Sequence, residues 1–210
     1  MSITPPKPSL GRRDLKKQQT REALLTVTLR LAAERGLEHV TVEEICAEVG
    51  VSSRTFFNYF PAKDDAVLDD NAAAAEEMLR RLTEVLTELP VLAAVHASLA
   101  AIIGEMETDR DRWLLRLTAI ERSPSMLPRL IATSVKTGQQ AAEVIGRHLG
   151  VPADGYPALV IGVAGAALRS AMQRWAAGDG SRPLAAYVDE AFAALANGLA
   201  DPQQQLEGRE

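Results

Sequence analysis

Residues 41–63 read TVEEICAEVGVSSRTFFNYFPAK, and the order of signals in that stretch decides the fold. Thr41 followed by Glu44 is a capping box, in which the threonine side chain accepts from the backbone N–H of the glutamate. Val42, Ile45, Cys46 and Val49 then fall on one face at 3.6-residue spacing, which predicts a short amphipathic helix. Gly50 supplies the left-handed backbone that ends such a helix, and Val51 tucks back against it. Ser52 or Ser53 caps a second helix over 53–60, closed by Pro61. Helix, glycine turn, helix is the layout of a helix-turn-helix, whose second helix enters the major groove of DNA.

Working outward, a leading helix is predicted over 15–35, with Leu24, Val27, Leu31 and Ala32 facing inward and Gly36 as its stop. A long fourth helix follows over about 62–89, opened by Asp64 and Asp65 at its positive end and ended by Pro90. Further helices are expected at 91–108, 110–122, 125–149, 157–178 and 184–199. No run alternates with period two over a strand's length, so an all-α protein follows: an N-terminal three-helix domain, then a larger C-terminal helical domain. The expected division is a flexible basic arm over 1–14, the helix-turn-helix domain over 15–63, a second domain over 64–200 and a tail over 201–210.

The net charge of −5 at first argues against a nucleic-acid partner, but its distribution does not. Up to Lys63 the chain has ten Lys or Arg against seven Asp or Glu, and the remainder has thirteen against twenty-one. The excess is concentrated in Lys7, Arg12, Arg13, Lys16, Lys17 and Arg21, an arm able to lie along phosphates. Within the second short helix, Arg54 can donate in bidentate fashion to guanine, and Asn58, four residues on, can pair with adenine or a phosphate. Ser53 and Thr55 are short donors near the helix start. Phe56 and Phe60 are read as core, as is Cys46.

The segment from Arg21 to Leu68, T-V-x-x-I-x-x-x-x-G-V-S-x-x-T-x-x-x-Y-F-x-x-K-D at its centre, closely resembles the DNA-binding domain of the tetracycline-repressor (TetR) family. The resemblance covers the first third of the chain; beyond it only length and helical character match. It implies that Thr41, Tyr59 and Lys63 touch phosphates and so position the protein on double-stranded DNA. The family often has tyrosine where this chain has Phe57, so a hydroxyl contact is absent there.

If the N-terminal part binds DNA, the remainder should dimerise it and sense something. Val188, Phe192, Leu195 and Leu199 repeat at four, three, four spacing, and Gly162, Ala166 and Ala167 on the preceding helix allow close approach. Two such helices from each subunit would make a four-helix homodimer interface, as the resemblance also implies. The candidate effector pocket is Leu99, Ile102, Met106, Trp113, Leu117, Ile120, Met126, Ile131, Met172 and Trp175, with Arg116 or Arg169 to anchor an anionic head group. A small, mainly hydrophobic effector is expected. The stretch ERSPSMLPRL resembles actinobacterial family members thought to bind acyl-coenzyme A-like molecules, and a lipophilic drug fits the same composition.

The expected function is therefore a ligand-responsive regulator, a repressor released from its operator. A small all-α enzyme and a non-DNA-binding adaptor are the alternatives. No nucleophile elbow, phosphate-cradling glycine loop or His-Glu zinc motif occurs, and His39, His96 and His148 lie far apart, so neither cofactor nor metal is expected. One cysteine and no charged-then-apolar leader point to a reducing cytoplasm. Ala158–Leu168 is too short to span a bilayer, so no membrane partner is expected.

Overall fold

The computed structural model describes residues 11–68 and 70–199, without the side chains of 70–72. The expectations for Lys7, most of the arm and the 201–210 tail thus lie outside the described residues. Every regular element among those described is a helix. The chain divides into two compact units, one made of residues up to 69 together with Leu115–Leu127, the other of Asp70–Leu114 and the chain from Pro128 onward.

In the first unit, α1 runs Arg12–Arg35, a short 3-10 turn Leu37–His39, α2 Val42–Val49, α3 Ser53–Phe57 and α4 Lys63–Leu68. The start of α1 lies earlier than the expected Leu15, so Arg12, Arg13 and Asp14 are helical and Arg13 and Lys16 sit on exposed turns of a helix. Its buried residues are Leu24, Leu25, Thr28, Leu29, Leu31, Ala32 and Ala33. Thr28 is hidden from a hydrophobic pattern because its hydroxyl donates to Leu24 O at 2.7 Å, which satisfies a polar group inside the core. Val27, expected to face inward, is only half-buried. Ile45, Phe56, Phe60, Ala66 and Val67 complete this core, each fully buried. The expected long fourth helix is described in two pieces, α4 and α5 Asp70–Val85.

The last part of α8, Arg110–Glu121, and the 3-10 turn Pro124–Met126 fold with this first unit. Ala119, Ser123 and Met126 are fully buried there. A linear division of the chain at 63/64 does not contain that grouping.

The second unit holds α5, α6 Val91–Ser98, α7 Ala100–Thr108, the start of α8, most of α9 Leu127–Leu149, α10 Tyr156–Ala177 and α11 Leu184–Ala196. The expected single helix over 91–108 is divided at Leu99. Val91–Thr108 is, by length and mean hydropathy of 1.3, apolar enough to cross a membrane. Its Val91, Ala94, Val95, Leu99, Ile103 and Met106 are all core residues of the helical cluster, a role with the same composition. α10 and α11 form the most extensive helix pair. Val188 and Phe192 of α11 belong to the core of this unit, 0% and 4% exposed, and the Phe192 ring stacks on His96 of α6 with centroids 4.5 Å apart.

Candidate nucleic-acid interface

The turn between α2 and α3 is built as the sequence implies. Thr41 Oγ1 accepts from Glu44 N at 3.2 Å while Glu44 Oε2 accepts from Thr41 N at 2.8 Å, closing both halves of the capping box. The Thr41 backbone N–H, then Arg35, holds the Glu44 carboxyl down to a pKa of about 2. Gly50 takes φ +76 in the left-handed region, and Val51 N donates back to Cys46 O at 3.0 Å. Ser52 is the cap of α3: its Oγ accepts from Thr55 N at 3.2 Å and lies 2.9 Å from Thr55 Oγ1. Arg30 pairs with Glu48, and Arg35 with Glu44 at 2.8 Å, so two ion pairs tie α2 to α1.

α3 is two-sided. Phe56 and Phe60 are fully buried and pack ring to ring at 5.5 Å. Arg54, Phe57 and Asn58 are exposed. Asn58 keeps right-handed helical angles, φ −73 and ψ −19, although the helix is assigned only to Phe57, shorter than the expected 53–60. Ser53 and Thr55 are half-buried, and the Ser53 hydroxyl is in hydrogen-bonding reach of the Cys46 thiol, whose pKa burial raises. Thr41 is exposed and Tyr59 half-buried. Lys63 has a task the sequence does not reveal: its Nζ donates to Leu37 O at 2.6 Å and Val40 O at 2.9 Å, clamping the loop ahead of α2. Two of its three donors are therefore spent inside the unit.

Sequence reasoning misses a second feature. Residues 122–125 pack on the end of α1. Arg122 Nη1 donates to Glu34 O at 2.8 Å, Leu37 N to Ser123 Oγ at 2.9 Å, and Ser125 N to Glu38 Oε1 at 3.0 Å. The backbone N–H of Ser125 and then its hydroxyl draw the Glu38 pKa down to about 2. Gly36, at φ +83, fits the same packing: a Cβ there would come within 2.6 Å of Arg122 O.

Of the candidate pocket residues, Leu99, Met106 and Trp175 belong to the second unit's core, and Ile102, Trp113 and Met172 pack against it. Arg116, Leu117, Ile120 and Met126 belong to the first unit, with Arg116 only 2% exposed. Ile131 is 61% exposed and Arg169 is exposed, so neither joins that core. Of the candidate interface residues, Gly162, Ala166 and Leu199 are exposed and Leu195 is half-buried. Val188 and Phe192 are buried within the subunit, 0% and 4% exposed.

A capped two-helix motif with an exposed Arg–Asn face, in a chain that also holds a second helical unit, is that of a helix-turn-helix transcription regulator. Residues 24–68 match the family model described as bacterial regulatory proteins, tetR family, and residues 89–200 match the MftR C-terminal domain model of the same family. The chain belongs to the TetR family. It is 29% identical over 180 residues to the HTH-type transcriptional regulator TcmR of Streptomyces glaucescens, covering 82% of this chain and 79% of that protein. Among solved structures it resembles FadR of Thermus thermophilus, a transcriptional repressor in complex with lauroyl-CoA, at TM-score 0.56 and 22% identity over 86% of this chain and 95% of that one. The SmeT–triclosan complex matches at TM-score 0.55 and 18% identity, over 84% and 91%.

Proposed function

We propose that this regulator is a homodimeric repressor that binds operator DNA through α3 and is released by a small hydrophobic effector. The observation that supports it most is the exposed Arg54–Asn58 face of α3, opposite a fully buried Phe56–Phe60 pair. Nothing in a subunit core calls for those donors, whereas base edges in a major groove do. Arg13 and Lys16, on the exposed first turns of α1, supply phosphate contacts, and Thr41 and Tyr59 help set the register. Effector binding falls to the second unit, where Leu99, Met106 and Trp175 sit among Ile102, Trp113 and Met172. FadR in complex with lauroyl-CoA and the SmeT–triclosan complex are similar in fold, and the lauroyl chain of the one ligand and the aromatic rings of the other are apolar groups that suit such an environment. Two reading helices engage one duplex face when their half-sites lie roughly 34 Å apart, so an effector that favours another spacing weakens operator binding.

Selection of binding sites from random duplexes tests the reading. The expected result is a two-fold symmetric site, with Arg54→Ala relaxing one position per half-site at a cost on the order of 1–3 kcal/mol. Replacing Arg13 and Lys16 by alanine should leave the preferred site unchanged and flatten the log–log salt dependence by about 0.9 per lost phosphate contact. Selection of no common site would overturn the operator-binding reading.

A further inference from the structure

Phe57 is 54% exposed and stands on the same outward side as the exposed Arg54 and Asn58. At about 100° of rotation per residue, Arg54, Phe57 and Asn58 fall within roughly a 100° arc, while Phe56 and Phe60 point to the other side. Burial agrees: the first three are exposed and the last two fully buried. The Phe57 ring has a neighbour within the subunit. It stands edge-on to Phe56, with centroids 5.6 Å apart and planes at 85°, and Phe56 is anchored in the core. Presenting that ring to a partner therefore costs little ordering on binding.

Chemistry narrows what the ring can meet. A phenyl group has no donor or acceptor, so it pairs neither with a phosphate oxygen nor with a nitrogen or oxygen on a base edge. Of the groups that base pairs show in the major groove, the C5-methyl of thymine is the apolar one. We propose that Phe57 is a specificity residue that reads the methyl group of one thymine in each half-site, beside the bases read by Arg54 and Asn58. The inference rests on the operator-binding reading above. Three neighbouring side chains then cover three kinds of base-edge chemistry: a bidentate cation, an amide and a methyl-seeking ring.

The test uses the full chain and the duplex it selects, with each thymine replaced singly by deoxyuridine, which removes the methyl and keeps every hydrogen-bonding group. Wild-type protein is expected to lose about fourfold in affinity at one thymine of each half-site, the worth of one buried methyl. Phe57→Ala is expected to bind the thymine duplex more weakly and to be indifferent to deoxyuridine at that position. Phe57→Leu should keep part of the thymine preference, and Arg54→Ala should keep all of it. A Phe57→Ala profile that matches wild type at every thymine overturns the proposal while leaving operator binding intact. A wild-type protein that selects no duplex overturns the operator-binding reading, and this inference with it.

Discussion

Gly36 and Gly50 both sit at positive φ, +83 and +76, and both end a helix, yet their surroundings make them unequal. Around Gly50 nothing lies within 4 Å of a built Cβ, so Gly50→Ala should cost only the left-handed backbone penalty, about 1 kcal/mol. Gly36 combines φ +83 and ψ 141, a region nearly confined to glycine, with a Cβ position 2.6 Å from Arg122 O. Gly36→Ala should therefore cost roughly 2–4 kcal/mol, and equal losses for the two variants in denaturant unfolding would show that the Arg122 carbonyl moves aside. Carboxylates give a second residue-scale prediction. Glu38 and Glu44 both titrate at about 2 in the fold against an ordinary 4.5. Folded pKa values below the unfolded ones contribute stability above pH 4.5 that is lost as the pH falls toward 2. Replacing either residue by glutamine should flatten the acid side of a stability-against-pH curve, and an unchanged curve would mean that their hydrogen bonds persist when protonated. Glu44 was legible in the sequence because its partner, Thr41, is three residues away. Glu38 was not, because its partner, Ser125, lies 87 residues on and local spacing carries no trace of it.

At the scale of elements, the same contrast runs through helix ends. The Thr41–Glu44 cap, the Gly50 stop and the Ser52 cap are short-range chemistry, and residues 41–63 alone were enough to place α2, the turn and α3. The end of α1 is closed instead by residues 122–125, brought there by tertiary packing. Ser123 is fully buried, and its Oγ accepts from Leu37 N while donating to Ala119 O at 2.6 Å. Ser123→Ala leaves a buried N–H without an acceptor, which should cost about 1–3 kcal/mol. It should also speed hydrogen exchange at the Leu37 amide ahead of the amides within α2. Uniform acceleration across α1 and α2 would mean that the serine holds the whole unit and not this junction. The α11 pattern shows the other limit of periodicity. Val188, Phe192 and Leu195 do mark an apolar face, but a repeat reports that a face is covered and not by what; here the cover is mostly the subunit's own α10, with α7 and α6 beside it.

For the whole molecule, that burial bears on where the proposed homodimer contact lies. With Val188 and Phe192 consumed inside the subunit, the outward stripe of α10 remains: Leu159, 64% exposed, with Gly162 and Ala166 each about one turn further on. Small residues there let a second helix approach closely, and an exposed leucine gains from being covered. Ala166→Arg places a long charged side chain on that stripe without entering the subunit core. It should shift sedimentation from dimer to monomer while leaving the melting temperature of the monomer near that of a dilute wild-type sample. Operator affinity should fall steeply at the same time, because a lone α3 engages one half-site and loses the joint docking of two reading helices. Phe192→Ala should behave in the opposite way, lowering stability by about 3–5 kcal/mol through a cavity in the core beside His96 before it affects association. Dimers that survive Ala166→Arg but dissociate in a still-folded Phe192→Ala variant would return the interface to α11, and the burial of Phe192 would then have to change on association.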